Sequence, residues 1–456
     1  MKSRISCFDT ATFKKDITRF VPLWALYAVG LLLIMLSTIS GTLWSHPVRL
    51  LDISLEALSL ANLLYGALCA QLLFGELFNS RLCNALHAMP VTRSARFVSH
   101  ICAGLLFAFV PNLLVSALMM PYLGQFWYIA LLWLGAICLQ YVFFFGVGVL
   151  SVMCTGSRFA MVVVYAIINF LSLVVYWFVE VIFLPMMPGV LVDENTFLLF
   201  CPVSYLVSNS DYIQFSYTTP DRYYIGGGNY LNEKFVGFGE GWIYLFILAA
   251  IGIAALAGAL LLYRRRKLES AGDFMAVKWL SPIFLVLYTL CAGAFLSIFG
   301  ELFGNGQYIV FLIAGLIIGF FTGRMLLERT IRVFRKKNFL QLGILTAVML
   351  LSLWVVHTDL LGIVSYVPDP QDVAYVVYDS RDAYNVECTD MGSIEKICEI
   401  HQLAVDDYCD RTCGRAHLYF NIEYHMKDGR VILRQYYLCS GSTAHWLAET
   451  LPKKQN

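Results

Sequence analysis

The sequence predicts an α-helical polytopic membrane protein of about nine transmembrane helices, with a small α+β domain on the far side of the membrane. Three observations carry this. Hydrophobic residues make up 59% of the 456-residue chain and charged residues 14%, where soluble proteins hold about 25% charged. Nine apolar stretches are each long enough to cross about 30 Å of hydrocarbon as a helix. Lys and Arg collect in alternate connections between those stretches, as they do when basic loops stay in the cytoplasm.

The nine stretches run 21–40, 57–75, 101–120, 126–153, 159–179, 242–263, 280–299, 308–327 and 339–356. The third contains Pro111, which a membrane helix tolerates when its neighbours satisfy the freed carbonyl. The first follows a 20-residue polar leader and has a long apolar run, so it reads as a retained anchor rather than a cleaved signal peptide. With the N-terminus in the cytoplasm, twenty Lys and Arg fall on the inner side. Only Arg49, Arg222 and Lys234 fall outside before the C-terminal domain. An odd number of spans then leaves the chain from Thr358 onward extracytoplasmic.

Before the first span, Phe8, Phe13, Ile17 and Phe20 alternate with Lys14, Lys15, Asp16 and Arg19. Two readings fit that pattern: an amphipathic helix lying in the inner interface, and a plain basic leader. Between the fifth and sixth spans lies a long outer loop, 184–241, rich in Tyr and carrying Asp193, Glu194, Asp211, Asp221, Glu233 and Glu240. Its aromatics suit the headgroup region. Gly226, Gly227 and Gly228 read as a turn and not as a phosphate cradle, because no strand-to-helix context surrounds them.

The composition changes after residue 358. A strand is expected over 373–378, an amphipathic helix over 394–407, and two strands over 417–425 and 431–438 around Asp428-Gly429, the dipeptide that favours tight hairpins. A last helix is expected near Ala444, giving a β-α-β-β order. Cys201, Cys388, Cys398, Cys409, Cys413 and Cys439 all fall on the oxidising side. Disulfides or free thiols are expected there ahead of a metal pair.

Recognisable chemistry is sparse. The chain has no His-Glu-x-x-His helix and no Gly-x-Ser-x-Gly elbow, the signatures of zinc proteases and serine hydrolases. The formal net charge of +1 gives no reason to expect nucleic acid. Polar residues within or beside the spans are few: Gln140, Asn169 and, at the outer end of the fifth, Glu180 are the candidates for a translocation path. For Gln140 and Asn169 the competing reading is interhelical hydrogen bonding; for Glu180 it is snorkelling to the interface. The connection 78–97 after the second span holds an expected helix over 80–88, ended by Pro90. Its Leu82, Leu86 and Met89 form a stripe flanked by Arg81 and Arg93, suited to docking into a groove on another protein.

The run LHAMPVTR at 86–93, followed by a span, resembles the Leu-His-x-x-Pro-x-x-Arg signature of permease subunits of bacterial ABC transporters of the type 2 exporter family. The segment LLYRRRKLESAGDFMAVKWLSPIF at 261–284 resembles the Tyr-basic-basic-Arg-x-x-Glu-x-Ala-Gly-Asp segment in a Gram-positive branch of that family, and YHMKDGRVILRQYYL at 424–438 resembles an outer domain appended to some of its members. The resemblance implies an interfacial elbow helix at 1–20 and a six-helix permease core at 21–263. It implies a coupling helix that meets a cytosolic ATPase through Arg81, Leu82, Leu86, His87, Met89, Pro90, Thr92 and Arg93. A cytoplasmic linker at 264–279, three added helices at 280–357 and an extracytoplasmic domain at 358–456 complete the expected organisation. No Gly-Lys dipeptide occurs, so a P-loop is excluded and ATP with Mg is expected on the partner ATPase, with no cofactor in this chain. The further partners implied are a second permease copy or a paralogue and the bilayer of a bacterial plasma membrane. Two other classes stay in view: a membrane-anchored sensor with an extracytoplasmic ligand-binding domain, and an ion-coupled secondary transporter.

Overall fold

The computed structural model describes residues 8–42, 49–124, 127–192, 199–208, 213–217, 233–239, 241–302, 307–380, 383–406 and 417–439. The protein is mostly helical, with a small antiparallel four-stranded sheet near the C-terminus. Eight helices among the described residues are long and apolar enough to cross a membrane. The pair Thr10–Arg19 and Val21–Ser37, bent by 56°, makes nine if it counts as one span.

The helices are α1 (Thr10–Arg19), α2 (Val21–Thr42), α3 (Arg49–Leu73), α4 (Ser80–His87), α5 (Arg93–Leu123), α6 (Tyr128–Cys154), α7 (Arg158–Phe178), α8 (Pro202–Ser208), α9 (Gly241–Arg265), α10 (Leu280–Leu302), α11 (Tyr308–Glu328), α12 (Lys336–His357) and α13 (Met391–Asp406). All nine expected apolar stretches are helices. Several are longer than the apolar run alone: α5 continues through both Pro111 and Pro121. Within the outer loop, β1 (Ile213–Tyr217) and β2 (Glu233–Phe238) pair antiparallel, a hairpin the sequence reading did not anticipate. The triple glycine between them lies outside the described residues.

Contacts divide the chain into two compact units. Unit 1 comprises Met1–Leu173, Leu198–Tyr288 and Gly323–Ile331, and unit 2 comprises Val174–Phe197, Thr289–Thr322 and Arg332–Asn456. This differs from the expected boundary near residue 264. The physical reason is a cluster in unit 2, where Ile182 is buried with Leu312, Leu316, Met349 and Leu353. Residues just after α7 therefore share a core with the later helices.

In unit 1, α6 is the buried centre, packed against α3, α5 and α9. Trp133, Tyr141, Phe144 and Phe145 are fully enclosed. Small residues let the backbones close in: a Cβ built on Gly146 would lie 2.3 Å from the Gly252 carbonyl oxygen, so the α6–α9 crossing requires glycine.

In unit 2, the strands are β3 (Val373–Ser380), β4 (Ala383–Cys388), β5 (His417–Met426) and β6 (Val431–Cys439), ordered β4-β3-β5-β6 with every pairing antiparallel. The expected β-α-β-β order thus gains a strand, β4, hairpinned onto β3. The turn at 427–430 forms as expected, with Gly429 at φ 86°. Ile394, Ile397, Cys398, Ile400 and Ala404 on one face of α13 cover Val376, Tyr378, Phe420, Ile422 and Tyr424. On the outer side of β6, Val190 bridges Arg434, and the Gln435 N–H donates to the Gly189 carbonyl at 2.9 Å. The expected helix near Ala444 lies outside the described residues.

Candidate functional site

The sequence places amphipathic α1 and α4, and the long connection after α9, in basic segments, and unit 1 brings all three together. α1 begins where the Asp9 carboxylate accepts the Ala11 N–H at 3.2 Å, and ends in the turn at Phe20. Of the two readings of this segment, the amphipathic helix is the one that forms. Phe13, Ile17 and Phe20 pack against the unit 1 core while Lys14, Lys15 and Arg19 stay exposed. Asp16 shares the apolar face and is buried.

Asp16 is buried because it has a partner. His100, one turn into α5 beyond Arg96, faces the Asp16 carboxylate with Nδ1 at 2.6 Å and the Glu76 carboxylate with Nε2 at 3.5 Å. Glu76 stands on the short turn Gly75–Phe78 that follows α3. Burial pushes its carboxyl up, but the His100 contact and charge, with Arg96 and Lys15 nearby, hold it below the usual carboxylate range. Phe74 meets the imidazole edge-on with centroids 5.0 Å apart. A second tie runs beside this one: the Asp9 N–H donates to Ser99 Oγ at 2.8 Å. The first helix is thereby fastened to α5 at two points. Sequence reading passed over Asp16, Glu76 and His100 because each lies on a different element; a charged residue on the apolar face of α1 was the one local signal.

α4 starts at Asn79, whose carboxamide oxygen accepts the Arg81 N–H at 3.0 Å, and it is over before Pro90. Cys83 points inward and is buried, whereas Leu82 and Met89 are 52% and 51% exposed. Arg81 and Pro90 are exposed. The side chains of Leu86 and His87 lie outside the described residues. Thr92 and Arg93 have internal tasks. Thr92 Oγ1 accepts the Ala95 N–H at 3.2 Å and caps α5. Arg93 donates to the carbonyls of Arg264 and Arg266, at 3.3 and 3.0 Å.

The connection after α9 is a strap across the same end. Arg266 donates from Nη1 to the Val152 and Met153 carbonyls, at 2.8 and 3.3 Å, and from Nη2 to Leu77 at 3.3 Å. The first two close the C-terminal end of α6, where carbonyls lack helical partners and a cation is favoured. Burial pulls the guanidinium down to about 10, so it remains charged at neutral pH. Further along, the Gly156 N–H donates to Phe274, the Gly272 N–H to Gly156 and the Ala276 N–H to Cys154, while Thr155 bridges Met275. The strap comes so close that a Cβ on Gly156 would lie 2.2 Å from the Ser270 oxygen, and Gly272 turns at φ 99°. This is the structural content of the Ala-Gly-Asp run at 271–273.

Farther along the bundle, Gln140 is fully buried and its Oε1 accepts from Asn62 Nδ2 at 3.3 Å. Asn62 Oδ1 accepts the Tyr27 hydroxyl at 2.9 Å, and Asn112 Oδ1 lies 3.3 Å from the same hydroxyl. Four helices are tied there. Asn169 is also buried but donates to the Tyr165 carbonyl on its own helix, at 2.9 Å. Glu180 is exposed in unit 2, on the π-helical turn Val179–Phe183.

In the C-terminal sheet region, His401 is fully buried, with Nδ1 3.2 Å from the Tyr424 hydroxyl. Burial and the Arg434 charge push it down to about 3. Cys201, Cys388 and Cys398 are free and buried; Cys409, Cys413 and the Cys439 side chain lie outside the described residues. No family model, curated protein or solved structure matches the chain.

Proposed function

We propose that the chain is the permease subunit of an ATP-driven ABC exporter of the type 2 family, working with a separate cytosolic ATPase and a second permease copy or paralogue. In this reading nine helices span the plasma membrane of a bacterium, the end carrying α1, α4 and the strap faces the cytoplasm, and the C-terminal sheet is extracytoplasmic.

The observation that carries the reading is α4. It is a short helix between two apolar helices, at the end richest in Lys and Arg; Leu82 on it and Met89 just after it are exposed, while Arg93, which opens α5 after the turn, is tied to the backbone of the strap. Apolar side chains on a fixed, polar-rimmed helix suit insertion into a groove of a partner. A push on α4 is then passed through Arg93 to the backbone after α9, and through Arg266 to the end of α6. Rigid elements tied in this way shift together, as alternating access needs. The chain performs no covalent step in this mechanism, and ATP with Mg is held by the partner.

The test is co-purification with the cytosolic ATPase. Leu82→Asp with Met89→Asp changes two exposed positions, so the helices keep their packing while the apolar contact is lost. ATPase retention should fall about ten-fold or more, as for anchors worth above 1 kcal/mol each. Undiminished association of the doubly substituted permease would refute the assignment of α4.

A further inference from the structure

Between α1, the end of α3 and α4, unit 1 holds a cleft of about 290 Å3. Its floor is the Asp16–His100–Glu76 cluster, and its walls carry four cations from three elements: Lys15 and Arg19 on α1, Arg96 on α5, and Arg158 at the start of α7. Phe20 and Leu72 give it an apolar margin. Lys15, Arg19 and Arg158 are exposed and converge on one opening although they are distant in sequence. The two carboxylates on the floor are engaged with the imidazole between them. Three exposed cations, Lys15, Arg19 and Arg158, therefore border a space whose two carboxylates both face the imidazole.

We propose that this cleft binds a phosphate-bearing anion, supplied either as the headgroup of an anionic lipid or as a free phosphate. Guanidinium groups match phosphate oxygens in pairs, and lysine adds a point charge. An apolar margin beside a basic cluster is what a phospholipid headgroup with its acyl chains calls for. The inference goes beyond the transport reading and needs no ATPase. The occupant would lie against α1 and α5 and cover the clamp that holds them together.

The full chain is purified in uncharged detergent without ATPase and placed in phosphatidylcholine nanodiscs with or without phosphatidylglycerol. Retained phosphatidylglycerol is counted by native mass spectrometry. In parallel, the thermal midpoint is measured in inorganic phosphate against chloride at equal ionic strength. The variant Lys15→Gln/Arg19→Gln/Arg158→Gln removes exposed charges only, and Arg332→Gln/Arg335→Gln/Lys336→Gln removes three exposed charges elsewhere as a control. At roughly five-fold per cation, the first variant should bind on the order of a hundred-fold more weakly while the control binds as the parent does. Selective retention of phosphatidylglycerol with no response to phosphate identifies the lipid headgroup. A midpoint rise in inorganic phosphate, lost only in the first variant, identifies free phosphate. Equal losses in both variants, or no preference over phosphatidylcholine and chloride, would overturn the proposal.

Discussion

Two histidines in this chain are almost equally hidden, His100 at 2% exposure and His401 at 0%, yet their surroundings are opposite. His100 has a carboxylate at each ring nitrogen, one from α1 and one from the turn after α3. An imidazole can donate to both only when it carries both protons. His401 has the hydroxyl of Tyr424, the ring of Tyr436 and the nearby charge of Arg434. It is kept neutral. The first histidine joins elements that are far apart in sequence by charge. The second fills a layer between a helix and a sheet, so burial alone says nothing of a histidine's task.

The comparison breaks most readily at His100. His100→Leu keeps comparable bulk but leaves Asp16 and Glu76 facing one another with no cation between them. Stranding buried carboxylates costs about 3–5 kcal/mol, read as a lowered thermal midpoint in detergent. Adding Asp16→Leu should recover part of the loss, because one uncompensated charge is then gone. If His100→Leu alone were neutral, the clamp would be mere packing and the contrast with His401 would vanish.

The contrast also explains what could be read from the chain. All nine apolar stretches became helices because an 18-residue hydropathy pattern is local information. The 3.6-residue spacing of Ile394, Ile397 and Ala404 likewise announced the face of α13, and Asp428-Gly429 announced the turn between β5 and β6. Strand β4 was missed because Ala383–Cys388 is short and borders a turn without a strong Asn-Gly or Asp-Gly signal. The clamp was missed for a deeper reason: positions 16, 76 and 100 meet only through the packing of three elements. Arg93 shows the converse. Its place in a basic loop suggested a partner's surface, but its guanidinium serves the backbone of the strap. In the same loop Leu82 and Met89 are among the exposed side chains.

At His401 the effect is smaller and depends on pH. A histidine held at about 3 when folded and near 6.5 when unfolded takes up its proton preferentially in the unfolded state between those values. Its contribution to stability is complete above about 6.5 and is lost as pH falls toward 3. Hydrogen-exchange protection of β5 and β6, corrected for intrinsic rates, should drop by up to about ten-fold per pH unit in that window. His401→Leu should flatten the dependence. A slope that survived the substitution would place the titrating group elsewhere.

The smallest expected change concerns Thr92, which the resemblance puts in the ATPase-coupling segment and the structure puts at the start of α5. Its hydroxyl accepts the Ala95 N–H at 3.2 Å, one of the amide donors that a helix start leaves without an intrahelical partner. Thr92→Ala should cost about 1 kcal/mol, seen as a small fall in thermal midpoint, while Thr92→Ser should restore it. Since α5 also carries Ser99 and His100, fraying of its first turn would loosen the ties to Asp9 and Asp16. Combining Thr92→Ala with His100→Leu should therefore cost less than the two separately, because the second removes one of the ties the first weakens. Strict additivity would mean that the cap and the clamp hold α5 independently.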